Sequence, residues 1–162
     1  MASQGILLTN YFAGISPFPP GSPRGAAYTP LVTHPSQPNY AAVVAGDNFG
    51  LDNGDFTAFP QNISTVVDLL DTKGISWGEY QEGLPYPGFP GLNYSNQHTF
   101  ANNYVRRHNP LILFDSVAKN ESRVTQIKGF DGFYEDLRRG KLPQWVSSLT
   151  SPLRGEKGNL TE

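Results

Sequence analysis

Two prolines bracket one serine in Thr33-His34-Pro35-Ser36-Gln37-Pro38-Asn39-Tyr40, and the apolar run Ala41-Ala42-Val43-Val44-Ala45 follows directly, ending at Gly46. Proline has no N–H to donate and opposes helix on its N-terminal side, yet it fits a first helical turn. The pair therefore restricts where a helix can begin. The spacing predicts one over residues 37–45, with Ser36 at its start and Gly46 as its stop. A hydroxyl at that point faces unpaired backbone N–H groups and the positive end of the helix dipole, a setting that attracts phosphate and favours an ionised nucleophile. The same residue type at the same place also fits an ordinary N-cap, with Asn39 three residues on.

Further along, the patterns alternate between strand and helix. Ile6 to Phe12 reads as a buried strand. Ser64 to Lys73 reads as a second helix: Val66, Val67, Leu69 and Leu70 are expected to share a face, Ser64 or Asn62 to cap it, and Gly74 to end it. Ile75 to Tyr80 follows as a strand. From Gln81 to Asn96 the chain is rich in Pro, Gly and aromatics, which predicts a surface loop near the site. Phe130, Phe133, Tyr134 and Leu137 recur at helical spacing before Gly140, and another strand is expected from Leu142 to Val146. Strands separated by helices predict an α/β fold with a mostly parallel sheet and ligands at the C-terminal strand ends.

Composition sets outer limits. A chain of 162 residues, 38% hydrophobic, can bury one modest core, but 17 Gly and 14 Pro imply much irregular backbone. A net charge of −2 gives no reason to expect nucleic acid or an anionic membrane as partner. The absence of cysteine excludes disulfides and thiolate metal sites. No segment is long and apolar enough for stable membrane insertion, and no basic flank leads into a signal-peptide core, so the polypeptide as written is expected to stay where it is made. N-x-S/T sequons at Asn62, Asn93, Asn120 and Asn159 are compatible with a glycoprotein. Asp47, Asp52 and Asp55 fail calcium-loop spacing and read as turn residues. Glu79 and Glu82, around an aromatic-rich strand end, read as solvated carboxylates. Composition does not reveal the oligomeric state.

Several longer motifs carry a resemblance. Gly5-Ile6-Leu7-Leu8-Thr9-Asn10-Tyr11-Phe12-Ala13, the Ser36 octapeptide, Gly46-Asp47-Asn48-Phe49-Gly50 and Gly74-Ile75-Ser76-Trp77-Gly78-Glu79-Tyr80-Gln81-Glu82 stand in one order. Tyr104-Val105-Arg106-Arg107-His108-Asn109-Pro110-Leu111, Phe133-Tyr134-Glu135-Asp136-Leu137 and Leu142-Pro143-Gln144-Trp145 continue it. Together they resemble the fungal secreted acid phosphatases of the phosphoesterase family, which also contains bacterial phospholipases C. The resemblance implies a partial alkaline-phosphatase-like α/β/α sandwich and hydrolysis of phosphate esters through a phosphoseryl intermediate assisted by a divalent metal ion. It makes Ser36 both nucleophile and metal ligand, Asn39 a phosphate contact and His108 an acid or phosphate ligand. From their positions alone, His34 could line the pocket as a substrate contact or simply orient the loop beside Pro35, and His108 could instead end a helix and pair with its dipole. The other metal ligands of the family come from a Glu-Asn pair upstream and Asp residues downstream, which the matching segments do not include. Metal binding and turnover are therefore expected to be impaired. The family resemblance also implies an extracellular location.

Two regions depart from the resemblance. Residues 14–31 form a Pro- and Gly-rich insert, and residues 146–162 read as a polar tail outside the family, leaving 1–145 as a partial phosphoesterase domain. Codons for Ala13-Gly14-Ile15, Leu31-Val32 and Val146-Ser147 can hold splice signals, so translated intron sequence is the expected origin, with a linker as the alternative. For function the alternative is a non-catalytic phosphate- or partner-binding module that keeps the Ser36 helix start.

Overall fold

The computed structural model describes residues 35–98, 100 and 102–149. His34, the strand expected at 6–12, the 14–31 insert and the chain beyond residue 149 lie outside the described residues.

The first described element is α1 (Gln37–Ala45), with the bounds that the bracketing prolines and Gly46 predict. Gly46 takes φ +78° and returns its N–H to the Ala42 carbonyl at 2.8 Å, a left-handed stop that a residue without a Cβ accommodates cheaply. Ala41 and Val44 are buried, while Val43 faces outward. The second helix, α2 (Val66–Thr72), starts two residues later than expected. Its start is held by neither Ser64 nor Asn62: the Asp68 carboxylate accepts the Thr65 N–H at 2.7 Å, the return half of a capping box. The expected apolar face is also corrected. Val67 is fully buried and Val66 and Leu70 touch the core, but Leu69 is 67% exposed.

Strand β1 (Trp77–Gln81) is buried at every position, as a strand covered on both faces must be. It lies between β4 (Ile127–Gly129) and β5 (Trp145–Leu149), and both pairings are parallel, with Tyr80 opposite Lys128 and Trp77 opposite Trp145. The last strand thus runs later than expected, and Val146–Leu149, read as the start of a polar tail, form most of it. Its exposure alternates along the strand, the pattern of a half-covered edge. Helix α5 (Phe130–Arg138) connects β4 to β5 and lies on the sheet. Tyr80 donates to Asp136 at 2.7 Å, Lys128 pairs with the same carboxylate at 2.6 Å, and the Tyr80 ring meets Phe133 edge-on.

The segment expected as a surface loop supplies β2 (Asn93–Ser95), antiparallel to β3 (Asn102–Val105), and it sends Leu84 into the core. Gly83, at φ +72°, lies so close to the Asn103 backbone that no side chain fits there. After β3 the chain makes two 3-10 turns, Arg106–His108 and Leu111–Leu113, then the short helices α3 (Asp115–Ala118) and α4 (Glu121–Val124). Leu111, Ile112, Leu113, Phe114 and Val117 form the centre of the core with Val67 and Ile127. Phe59 stacks on Phe114 at 4.8 Å and donates its N–H to the Leu113 carbonyl, which anchors the loop after α1.

Candidate active site

Ser36 is exposed at the N-terminus of α1, but it is not the ordinary N-cap that its position allows. Its backbone is helical (φ −66°, ψ −28°) and its side chain makes no capping hydrogen bond. The carbonyl does the local work, accepting from the N–H groups of Asn39 at 3.0 Å and Tyr40 at 3.2 Å. The hydroxyl instead hydrogen-bonds the Tyr40 phenol, four residues on and therefore one turn along the same face. Burial pushes the Tyr40 pKa up, and the Ser36 hydrogen bond offsets part of that rise.

The Tyr40 ring meets His108 edge-on with centroids 5.8 Å apart. Two candidates separated by 72 positions are thus joined through a residue to which the sequence alone assigns no role. His108 ends the turn Arg106–His108 and is half-buried. Burial, reinforced by the neighbouring Arg107 charge, holds its pKa below the ordinary imidazole value. His108 borders a small cleft with Gln81, Glu82 and Leu149, at the C-terminal ends of β1 and β5. That is where a parallel sheet places its ligands.

Asn39 is buried in the first turn of α1. Gln37, also buried, donates from Nε2 to the Asp55 carbonyl at 3.0 Å and the Thr57 hydroxyl at 2.8 Å, which ties the helix start to the loop ahead of Phe59. The Asp residues behave as turn chemistry: Asp47 accepts the Phe49 N–H at 2.9 Å, and Asp52 accepts from Asn53.

Glu79 departs most from expectation. It is fully buried in the middle of β1, with Oε1 accepting from the Gln81 side chain at 2.7 Å, and burial pushes its pKa up to about 8. Glu82, at the end of the strand, is half-exposed.

Among the described residues no group of three His, Asp or Glu side chains could hold a metal ion. Among the described residues, the Tyr40 phenol and the His108 imidazole beside Ser36 are too few donors to complete a divalent-cation site by themselves.

Comparison with known sequences identifies the family. The sequence pattern of the Phosphoesterase family matches residues 26–154, so the match continues beyond Trp145 and through β5. An acid phosphatase of Aspergillus fumigatus is 59% identical over 146 residues, which are 90% of this chain and 29% of that protein. A probable acid phosphatase of Kluyveromyces lactis is 52% identical over 146 residues, again 90% of this chain and 30% of the relative. Phosphate-repressible acid phosphatase of Penicillium chrysogenum is 50% identical over 144 residues. An α/β chain with a parallel sheet, a serine-bearing helix start and these similarities is a member of the Phosphoesterase family. It spans about three-tenths of the length of the fungal relatives it matches.

Proposed function

We propose that this chain carries the serine-bearing part of a phosphoric-ester hydrolase of the acid phosphatase type. The observation that carries the reading is the Ser36–Tyr40–His108 group: an exposed hydroxyl at a helix start, spared from capping and linked through the Tyr40 ring to a half-buried imidazole. In the proposed reaction Ser36 Oγ attacks phosphorus, the bond from phosphorus to the ester oxygen breaks, and the serine proton leaves to solvent. The departing oxygen takes a proton from the His108 imidazolium. Water then attacks the phosphoseryl group and gives a proton to the neutral His108 imidazole, the bond from phosphorus to Oγ breaks, Oγ recovers a proton from solvent, and inorganic phosphate is released.

The lowered pKa of His108 makes its imidazolium a stronger acid, and one populated only in acid medium. The positive end of the α1 dipole is the nearest electrostatic support for phosphate charge. Asn39 joins the site in this reading as a phosphate contact by family resemblance, and His34 as a substrate contact by its sequence position. Phosphoesterases are generally metal-dependent, and a divalent ion would supply the larger share of charge stabilisation. The described residues offer no ligand set for it, so no step here depends on one. The extracellular location of the family is carried over on the same footing.

The test is to incubate the chain with p-nitrophenyl phosphate, with and without added divalent metal, and to examine the peptide containing Ser36 by mass spectrometry. A phosphoryl group on Ser36, lost in Ser36→Ala, is the expected result. Because the Ser36 side chain makes no cap bond and loses only its hydrogen bond to Tyr40, that variant should keep its stability within about 1.5 kcal/mol. Turnover unchanged in Ser36→Ala would refute the assignment. Phosphate binding at Ser36 with no phosphoserine under any metal condition would favour a binding module instead.

A further inference from the structure

A cavity of about 270 Å3 lies beside the candidate site, and the reaction at Ser36 makes no use of it. Its wall includes Gln37, Phe56, Leu92, Arg106 and Arg107. Two of these are direct chain neighbours of the proposed reacting residues: Gln37 follows Ser36, and Arg107 precedes His108. Ser36 and His108 are not themselves in its wall; these two neighbours, with Pro35 close to the Arg107 side chain, are what link the cavity to them.

Its charge is unusual. Arg106 is only 7% exposed, and its guanidinium donates to the carbonyls of Thr57 at 3.0 Å and Ile112 at 2.6 Å while the Phe56 ring covers it at 4.7 Å. Carbonyl dipoles and a ring face satisfy its donors, and the Asp115 carboxylate acts on its charge only from beyond ion-pair distance. Arg107 is exposed and has its donors available. Its Cδ and Nη1 lie 3.5 and 3.6 Å from the point where a Cβ on Gly54 would stand, and Pro35 Cγ lies 3.5 Å from the same point. Glycine at position 54 thus lets the Arg107 side chain lie along the turn, close to the residue that precedes Ser36. Among the described residues neither arginine forms an ion pair, although Asp55 shares the wall. Phe56 and Leu92, both more than half exposed, add an apolar rim that strengthens electrostatic attraction inside.

We propose that this cavity is a leaving-group subsite for substrates that carry a second anionic group, a phosphate or carboxylate a few bonds from the ester oxygen. Arg107 is the contacting residue, because its guanidinium fork can meet an oxyanion with two parallel hydrogen bonds. Arg106 supplies a fixed positive field, and the apolar rim covers the carbon frame between the two anions. The proposal rests on Ser36 being where the first phosphate binds.

The experiment titrates the nitrogen-15-labelled full chain with propyl phosphate and with propanediol bisphosphate, which differ only in the second phosphate. Amide shifts at residues 36–40 report the shared phosphate, and those at Gly54 and Arg107 report the subsite. The bisphosphate should bind at least about tenfold more tightly, since a charge-assisted contact is added. Arg107→Ala should erase that advantage while leaving propyl phosphate within about twofold, and Arg107→Lys should keep part of it. Equal affinity for the two ligands, or an advantage that survives Arg107→Ala, overturns the subsite and leaves the Ser36 reading standing. If neither ligand shifts the amides of residues 36–40, the Ser36 reading falls and the subsite with it.

Discussion

Replacing Glu79 by glutamine should abolish a large pH dependence of stability. Glu79 is fully buried, and the Gln81 side chain and Leu111 backbone do not compensate for the loss of water, so its pKa rises from 4.5 to about 8. The folded chain then holds this proton where the unfolded chain releases it. Stability is accordingly full below the unfolded value and is lost as pH rises through the folded one. Integrating over the window, the carboxyl costs about 1 kcal/mol at about pH 5 and roughly 4 kcal/mol at about pH 7.5, a difference of ~3 kcal/mol. Glutamine copies the shape of the protonated acid, and its oxygen can still accept from Gln81, but it does not titrate. Urea unfolding of both chains at the two pH values measures the effect: the variant should lack the loss that the parent shows, and should be the more stable chain at the higher pH. Parallel pH dependence in the two chains would refute the argument, because it would mean that Glu79 is solvated or already ionised in the fold.

His108 acts in the opposite sense. Its pKa is lowered in the fold, so the unfolded chain binds the proton first and stability falls as pH drops below 6.5; His108→Asn should flatten that decline in the same urea series. Gly83→Ala should cost about 2 kcal/mol or more in thermal unfolding, because it forces a Cβ into the Asn103 backbone at a positive φ. Leu111→Ala, at a fully buried centre of the core, should cost about 2–5 kcal/mol, whereas Leu69→Ala, on the exposed side of α2, should stay within about 0.5 kcal/mol.

What could be read from the sequence was local. Pro35, Pro38 and Gly46 determine the bounds of α1 because missing donors and a missing Cβ act on the backbone at the residue itself. Phe130, Phe133 and Leu137 announce α5 through their spacing, and alternation of helices with strands leads to the parallel sheet. The family was legible too, since whole motifs stand in order along the chain. Helix starts chosen among adjacent polar residues were less legible: Asn62, Ser64 and Thr65 all suit a cap, and Asp68 selects Thr65 by reaching back to its N–H. Tertiary structure alone decided the environments. Glu79 lies in a strand whose polar residues look solvated until β4 and β5 close on both sides of it. Tyr40 gained a role only when the turn after β3 brought His108 against its ring, and Arg107 only when the loop holding Gly54 and Phe56 folded beside it. Backbone preference depends on neighbours in sequence, whereas burial, charge and pKa depend on neighbours in space, and those neighbours are supplied by segments tens of residues away.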